Sequence, residues 1–251
     1  MIESIRRAAH LVRNAQFAVA FTGAGISTAS GIPDFRSPQS GLWASVDPMD
    51  VASLQSFRQY PEKFYEWVKP LARVMLAARP NAAHLALAQL EARGYLTLTI
   101  TQNIDMLHAR AGTQHLLEVH GHLREATCIH CYHVEAAAGL LEEWLNRSEL
   151  PRCSLCGNVM KPNVILFGEQ LPAAVFIEAQ LAARQCDVML VAGSSLEVFP
   201  AADLPLLSLD HGAALIIVNR EPTFIDERAA VVIHADVTQA LPQLVDEVLG
   251  G

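Results

Sequence analysis

The sequence has no apolar run that approaches the roughly 20 residues needed to cross a bilayer, so we expect no membrane partner. Its first 16 residues predict an amphipathic helix and carry no signal-peptide core, so we expect a cytoplasmic protein. Internal repeats and low-complexity tracts are also absent. What these absences leave is a globular, intracellular protein.

Charge is scarce, and positive charge is scarcer than negative charge. Only 18% of the residues are charged, and 18 Lys and Arg against 26 Asp and Glu give a net charge of −8. Because basic surfaces bind phosphate backbones, we do not expect nucleic acid as the main ligand, whereas basic peptides are compatible partners. Hydrophobic residues make up 51% of the 251 residues, enough for a sizeable core.

Short apolar runs separated by helical segments set the expected fold. Most runs are continuous and not alternating, which is typical of parallel strands covered on both faces. One intervening helix is predicted over residues 82–93, with Asn81 as its N-cap and Gly94 at its end. This order predicts a doubly wound, Rossmann-like α/β sheet. The predicted strands are residues 17–22, 95–101, 164–167, 188–192, 215–218 and 231–234.

Two stretches interrupt this alternation and predict insertions that pack together, or side by side, over one edge of the sheet. Residues 37–80 hold helical segments without a convincing strand, and residues 123–161 hold four of the five cysteines. We therefore expect a smaller inserted domain made of a helical module (37–80) and a zinc-binding module (123–161). The Rossmann-like domain would consist of residues 1–36, 81–122 and 162–251.

A glycine-containing loop follows the first predicted strand, at the edge of the sheet where α/β proteins bind ligands. Gly23 and Gly25, with Ala24 between them, would let the backbone approach a pyrophosphate, and the next helix start would offer N–H groups. No Gly-Lys-Ser/Thr follows, and Thr28 replaces the third glycine of G-x-G-x-x-G. Taken alone, the loop could be a structural turn.

Polar clusters also follow three other predicted strands, at residues 102–105, 193–195 and 219–221. Any single cluster could serve only as a helix N-cap, and Ser195 or Asp105 could be only that. Four clusters at the carboxyl ends of parallel strands together favour a dinucleotide-binding edge.

The cysteines predict a metal site. Cys128 and Cys131 form one C-x-x-C pair, Cys153 and Cys156 form another, and 21 residues separate the pairs. This is zinc-ribbon spacing, and four thiolates would leave Zn²⁺ no open coordination position, so the metal should be structural. Reduced or redox-active thiols are the alternative. Cys186 is interpreted as a small core residue.

One histidine stands out among the ten. His120 ends a short apolar run, precedes Gly121 and lies just before the cysteine-rich module, where sheet and insertion should meet in a cleft. Imidazole titrates near neutrality and suits a general base. His84 is placed in a helix, and His108 and His115 are interpreted as ordinary surface residues.

These motifs, in this order, resemble the sirtuin family of NAD-dependent protein lysine deacylases. The chain carries G-A-G-I-S with P-D-F-R, T-Q-N-I-D, V-H-G, both C-x-x-C pairs, F-G-E, G-S-S and V-N-R-E, spread over residues 23–237. The compact length is similar to that of bacterial or archaeal members. The resemblance implies a transferase that binds one structural Zn²⁺, consumes NAD as a cosubstrate and acts on acetylated lysine in proteins.

The resemblance also implies roles for particular residues around NAD. Asn103 would orient ribose hydroxyls or a water, which makes it a catalytic residue beside His120. Phe35 and Arg36 would lie on a flexible loop over the nicotinamide ribose. The other NAD-binding residues implied are Gly23, Ala24, Gly25 and Thr28 at the pyrophosphate, Gln102, Ile104 and Asp105 around the nicotinamide riboside, and Gly193, Ser194, Ser195, Asn219, Glu221 and Val237 at the adenosine half.

An acyl-lysine peptide would, by the same resemblance, add as a strand between two loops. Its side chain would pass through an apolar tunnel toward His120, which would take a proton from a ribose hydroxyl. The products would be free lysine, nicotinamide and O-acetyl-ADP-ribose. The peptide-binding residues implied are Phe167, Gly168 and Glu169 on one loop and Leu196 and Val198 on the other.

The acyl preference is inferred from one helix. Family members that prefer succinyl or malonyl groups carry Tyr-x-x-Arg, and here Tyr65 is present while Val68 replaces the arginine. Without a cation, a buried carboxylate would be poorly compensated, so neutral acyl groups are expected. Three alternatives stay open: a nicotinamide-dependent dehydrogenase, a module that only binds NAD or zinc, and ADP-ribosyl transfer to protein.

Overall fold

A computed structural model describes residues 1–34 and 46–250 of the chain. Its described helices are α1 (Ile2–Asn14), α2 (Pro48–Val51), α3 (Leu54–Gln59), α4 (Pro61–Ala77), α5 (Ala82–Ala92), α6 (Leu107–Ala111), α7 (Ala137–Arg147), α8 (Ala173–Gln185), α9 (Leu204–Asp210) and α10 (Val237–Leu249). Its strands are β1 (Ala18–Thr22), β2 (Leu98–Thr101), β3 (Leu116–Glu118), β4 (Gly121–Cys128), β5 (Val134–Ala136), β6 (Met160–Val164), β7 (Val188–Ala192), β8 (Ala214–Asn219) and β9 (Val231–His234).

Six strands form one parallel sheet in the order β3-β2-β1-β7-β8-β9. From β1 the chain first builds outward through β2 and β3, and then returns to build outward on the other side of β1 through β7, β8 and β9. This is the strand order of dinucleotide-binding folds, and it reverses between β1 and β7, where such folds bind their ligand. The predicted doubly wound, Rossmann-like sheet is confirmed.

The central strand β1 shows why the sheet needs helices on both faces. Ala18 and Ala20 pack into one core with α1, α5 and α10, whereas Val19 and Phe21 pack into a second core with α8 and α9. Successive side chains of a strand point to opposite faces, so a strand buried on both faces is apolar throughout. The continuous apolar run in the sequence therefore reflects a covered central strand.

The strand predicted over residues 164–167 is wrong. Val164 ends β6, which pairs with β4 in a separate antiparallel sheet of order β5-β4-β6. The sixth parallel strand is instead β3, only three residues long and including the polar Glu118. Phe167 lies beyond β6 and makes an isolated parallel bridge with Ser53.

The helical module and the cysteine-rich module share a third core, as expected from insertions that pack together. Tyr65 of α4 lies at its centre, with its ring edge-on to Trp144 of α7 at 5.0 Å and its hydroxyl donating to the Met160 carbonyl at 2.6 Å. Lys69 donates to Ser148 Oγ across the same contact. The exact domain boundaries given above stay a prediction.

The described helices include none with the length and apolar character of a membrane span.

Candidate active site

Two glycines meet at the point where the strand order reverses. Gly25 follows β1 and Gly193 follows β7, and the Gly25 N–H donates to the Gly193 carbonyl at 2.9 Å. A Cβ on Gly25 would lie 2.8 Å from that carbonyl oxygen, and a Cβ on Gly193 would lie 2.3 Å from the Ile26 nitrogen. Gly193 also has φ +62°, in the left-handed region. Both glycines are therefore required for the two loops to touch.

The same contact decides which N–H groups stay available in the crevice. The Gly25 N–H is used by Gly193, and the Gly193 N–H donates to Val218. Ala24 and Ser195 keep main-chain N–H groups that have no acceptor in the described part of the chain. The glycines thus bring the backbone close, while their neighbours hold the donors that suit a pyrophosphate.

Asn103 joins the loop after β2 to the loop after β1. Its buried amide donates to the Gly23 carbonyl at 3.0 Å and to Ser27 Oγ at 3.1 Å, which leaves the amide oxygen free to accept. Ser27 in turn donates to Asp105 Oδ2 at 2.6 Å, and Asp105 Oδ1 accepts from the Leu107 N–H. The predicted Gly23, Asn103 and Asp105 are therefore brought together, with Ser27 as the link that sequence reasoning missed.

A pocket opens over this network. Ala24, Asn103, Ile104 and Asp105 line it together with apolar side chains of α4 such as Met75. Burial raises the pKa of the Asp105 carboxyl, against the lowering effect of its hydrogen bonds to Ser27 and Leu107. Each carboxylate oxygen can accept a second hydrogen bond, so an amide ligand such as a carboxamide fits the pocket chemically.

Gln102 connects three elements of the site. Its side-chain nitrogen donates to Ser194 Oγ at 2.9 Å, its N–H donates to the Thr22 carbonyl, and its carbonyl accepts from the His120 ring at 3.0 Å. Ser194 Oγ also accepts from the Leu196 N–H. The loops after β1, β2 and β7 are thus held in one arrangement around the crevice.

The hydrogen bond of His120 fixes the tautomer of the ring. Because a carbonyl oxygen only accepts, the proton of the neutral ring must lie on Nδ1, facing Gln102, and Nε2 carries the lone pair. Burial lowers the pKa of His120, and the bond to Gln102 partly offsets this. Nε2 has no protein partner among the described residues, so it is available to accept a proton.

His120 lies at the junction between the two sheets, as predicted. It follows β3 of the parallel sheet, and Gly121 starts β4 of the antiparallel sheet. Gly121 has φ +79°, and a Cβ there would lie 2.0 Å from the Asn163 carbonyl oxygen. The His120 carbonyl accepts from the Ile165 N–H at 2.9 Å. The histidine is therefore held from both sides of the junction.

Two further histidines lie beneath the site, and the surface interpretation of His108 is wrong. His108 is buried, and its Nε2 is hydrogen-bonded to Thr22 Oγ1 at 2.9 Å. Its ring lies edge-on to the His84 ring, with the ring centres 4.9 Å apart. Burial lowers the pKa of His108 to about 3 and that of His84 to about 4. His84 Nε2 is 3.5 Å from Ser27 Oγ, so these rings support the polar network.

The residues predicted at the adenosine half lie at the carboxyl ends of β7, β8 and β9. Asn219 ends β8 and its amide donates to the exposed Glu221 carbonyl at 2.8 Å. Val237 begins α10, whose N-cap Asp236 accepts from Thr238 and pairs with Arg220. Thr28 Oγ1 donates to the Gly25 carbonyl at 3.1 Å. Phe35 and Arg36 lie outside the described residues.

In the first predicted peptide-binding loop, residues 167–169, most hydrogen-bonding groups are already used within the protein. The Phe167 N–H donates to Ala52 and its carbonyl accepts from Leu54, so its main chain is already used. Glu169 accepts from the Leu166 N–H and pairs with Lys161 at 3.0 Å. The peptide groups of Gly168, with φ +83°, have no partner within the described chain.

The opposite loop is held by local contacts. Leu196 is buried with φ +58°, and its N–H donates to Ser194 Oγ. Val198 is half-buried, and its carbonyl accepts from the Ala202 N–H at 2.9 Å. The loop therefore has a defined shape before any peptide binds.

The four predicted metal ligands form one cluster. The sulfur atoms of Cys128, Cys131, Cys153 and Cys156 all lie within 4.8 Å of one another, with contacts of 3.4–3.6 Å, and none forms a disulfide. Four thiolates at the corners of a tetrahedron with Zn–S bonds of about 2.3 Å have sulfurs about 3.8 Å apart, so the donor set fits Zn²⁺. Cys186 is buried apart from this cluster.

The crevice at the strand reversal and the imidazole with its free Nε2 define a dinucleotide-dependent enzyme with a separate structural metal site. Comparison with known proteins makes this more specific. A model of the Sir2 family matches residues 23–200. The chain belongs to the Sir2 family.

Curated relatives match the chain over nearly its full length. "NAD-dependent protein deacylase 2" of Archaeoglobus fulgidus is 45% identical over 249 residues, covering 99% of this chain and 97% of the relative. "NAD-dependent protein deacetylase" of Caldivirga maquilingensis is 45% identical over 249 residues, covering 99% and 95%.

Solved structures agree with the fold. A chain described under "Structural Basis for the Mechanism and Regulation of Sir2 Enzymes" has a TM-score of 0.92 at 44% identity, covering 99% of this chain and 98% of that one. A Sir2 variant bound to deacetylated p53 peptide and 3′-O-acetyl ADP ribose has a TM-score of 0.91 at 37% identity, covering 97% and 98%. Sir2Af2 bound to a myristoylated histone peptide has a TM-score of 0.84 at 39% identity, covering 99% and 97%.

Proposed function

We propose that this protein is an NAD-dependent protein-lysine deacetylase that transfers the acetyl group of acetyl-lysine to ADP-ribose. The observation that carries the proposal is His120, whose unprotonated Nε2 has no partner among the described residues and lies beside a dinucleotide crevice. The two curated relatives carry names of this activity, and a related structure holds the peptide and acetyl-ADP-ribose products. Family membership and site chemistry therefore support the same reaction.

NAD would lie along the carboxyl edge of the sheet, between the loops after β1 and β7. Ala24 and Ser195 would donate main-chain N–H groups to its pyrophosphate, close to Gly25 and Gly193. Asp105 and Ile104 would hold the nicotinamide carboxamide, and Asn219 and Val237 the adenosine half. When bound, NAD supplies an electrophilic ribose carbon, from which nicotinamide leaves as the acyl oxygen attaches.

His120 would act as the general base. Its Nε2 would take a proton from a ribose hydroxyl while Nδ1–H keeps its bond to the Gln102 carbonyl, so the ring cannot rotate freely. The lowered pKa keeps the imidazole neutral at physiological pH. The positive charge that develops on the ring during proton transfer lies next to a carbonyl dipole, which stabilises it.

Asn103 would position the hydroxyl or water that reacts. Both of its donor contacts go to Gly23 and Ser27, which turns the amide oxygen into the free acceptor of the pocket. A fixed acceptor at this position orients one O–H, which lowers the entropic cost of reaching a reactive geometry.

The acyl-lysine peptide would bind between the Gly168 loop and the 196–198 loop. Gly168 has peptide groups without a partner among the described residues, and these are available for strand addition. Phe167 and Glu169 would hold the loop in place, because the Phe167 main chain and the Glu169 carboxylate are already hydrogen-bonded within the protein. The relative bound to a myristoylated peptide supports a wider range of apolar acyl groups as a second expectation.

Neutral acyl groups would be preferred over succinyl. Val68 is buried and apolar, and the Tyr65 hydroxyl is already bonded to the Met160 carbonyl, so neither side chain offers a charge or a free donor. A carboxylate brought to this helix would lose its hydration without gaining a partner. Desuccinylation faster than deacetylation by the purified protein would contradict this.

The decisive experiment is mass spectrometry of an acetyl-lysine peptide incubated with the protein, with and without NAD. Loss of the acetyl mass only with NAD, together with nicotinamide and O-acetyl-ADP-ribose, is the expected result. Appearance of NADH absorbance would identify a dehydrogenase instead. Adenine-labelled NAD that leaves its label on protein would identify ADP-ribosyl transfer, and NAD binding without any product would identify a binding module.

A further inference from the structure

An open groove of about 350 Å³ lies beside the loop proposed to bind peptide. It is formed by α2, α3 and the Phe167–Gly168 turn. Met49 and Phe167 are among the large apolar side chains that the structure leaves exposed, at 54% and 40%. Leu54 completes this apolar part of the groove. A concave surface of this size holds one or two side chains of a ligand.

One face of α3 gives the groove a polar wall. Gln55, Arg58 and Gln59 line it, and their spacing of three and four residues places them side by side on the helix. All three are exposed. The wall therefore offers two amides flanking one guanidinium, which together donate well to an anion.

Arg58 has no partner for its charge within residues 1–34 and 46–250. No described residue accepts a hydrogen bond from its guanidinium or pairs with it. No Asp or Glu is among the described residues that line the groove. Asp47 is instead used as the N-cap of α2, where it accepts from the Met49 N–H. Lys161 and Glu169, behind the same turn, pair with each other. Among the described lining residues, the only net charge is thus positive.

The groove continues directly from the proposed peptide path. The Phe167 main chain is bonded to Ala52 and Leu54, while the peptide groups of the next residue, Gly168, have no partner among the described residues. A strand that adds at Gly168 passes the mouth of the groove. Side chains that flank the acyl-lysine would then be in reach of a long arginine.

From this arrangement we infer that the groove is a substrate side-chain subsite, and that Arg58 selects an acidic residue near the acyl-lysine. This inference rests on the proposed deacetylase function. A guanidinium matches a carboxylate with two parallel N–H···O bonds, and the apolar floor holds the methylene groups of an Asp or Glu side chain. The preference is local, because the chain as a whole is acidic.

The test is a set of acetyl-lysine peptides in which each flanking position in turn carries Glu or its neutral isostere Gln. Wild-type kcat/KM and peptide affinity should favour Glu at one position by roughly two- to fivefold, the range of an exposed ion pair. Arg58→Gln should bring that ratio to about one, and Arg58→Glu should invert it. Raising the salt concentration should weaken the wild-type preference.

Arg7→Gln is the matched control, because it removes the same charge from an exposed position on α1, away from the groove. It should keep the wild-type preference for Glu. Turnover of all peptides with equal rates for Glu and Gln, or a preference that survives in Arg58→Gln, overturns the subsite and leaves the deacetylase function standing. A lack of turnover on every peptide overturns the proposed function and the subsite with it.

Discussion

At the scale of single residues, the environment of His120 sets the pH dependence of the reaction. Burial lowers the pKa of His120, and the neutral form is the one that accepts a proton. Activity should therefore persist to lower pH than an ordinary imidazole, with its pKa of 6.5, would allow. A pH profile of kcat/KM should show its acidic midpoint below 6.5.

His120→Ala tests the same residue directly. Removing a positioned general base typically lowers the rate by about 10²–10⁴-fold, while NAD binding measured by calorimetry should persist. His115→Ala removes an exposed imidazole before β3 and serves as the control. A His120→Ala protein with near wild-type deacetylation would show that another group is the base.

Glycine offers a second residue-scale prediction. Gly193→Ala places a methyl 2.3 Å from a backbone nitrogen at a positive φ, and should lower the free energy of unfolding by roughly 2–5 kcal/mol with loss of NAD binding. Gly139→Ala, inside α7 with open space around it, should stabilise by about 0.5–1 kcal/mol. Urea titration measures both, and equal effects would contradict the argument.

At the scale of secondary structure elements, the zinc ribbon should hold the small antiparallel sheet in shape. Cys131→Ala removes one of four thiolates, so bound zinc should fall from about one per chain to near zero, with a lower melting temperature. Cys186→Ala removes a buried cysteine outside the cluster and should keep the metal. Full zinc content in Cys131→Ala, by elemental analysis, would contradict the ligand assignment.

The sequence predicted some elements closely because a short continuous apolar run indicates a strand and an Asn before a helical pattern indicates an N-cap. β7 and β9 have the predicted bounds, and Asn81 caps α5 as expected. β3 was missed because three residues are too few for a pattern, and Val164 was assigned to the wrong sheet because apolar content does not reveal a strand's partner.

The site was predicted less completely for a related reason. The sequence pointed to His120 and Asn103 because they stand in short motifs at strand ends. His84 and His108 carry no such signal, since each is an ordinary helix residue until the fold brings it within 3.5 Å of a polar partner. Ser27 stands in the G-A-G-I-S motif, but its bond to Asp105 shows only in the fold. Their roles depend on contacts between segments distant in sequence.

At the scale of the whole molecule, the buried histidines should make the fold sensitive to acid. The folded-state pKa values of His84 and His108, about 4 and about 3, lie below the ordinary 6.5. Between pH 6.5 and 4, the unfolded chain therefore binds protons at these two histidines more strongly than the folded chain does. The contribution of these two histidines to the free energy of unfolding is fully present above pH 6.5. It is lost as pH falls toward 4, by about 1.4 kcal/mol per pH unit for each histidine.

His108→Gln isolates one of these contributions. Urea unfolding between pH 6.5 and 4 should show a slope of stability with pH that is shallower by about 1.4 kcal/mol per unit than in the wild type. His211→Gln removes an exposed imidazole and should keep the wild-type slope. An unchanged slope in His108→Gln would mean that this ring does not resist protonation.

The junction at Gly121 couples the metal site to the chemistry mechanically. Only Val119 and His120 separate the end of β3 from the start of β4, and the His120 carbonyl accepts a hydrogen bond from the Ile165 N–H, one residue beyond β6. A tilt of the antiparallel sheet, which carries the four cysteines, would therefore shift the His120 imidazole as well. Loss of the metal, although it is remote from the reacting atoms, should therefore lower the turnover rate, because His120 would no longer be correctly oriented to accept the proton.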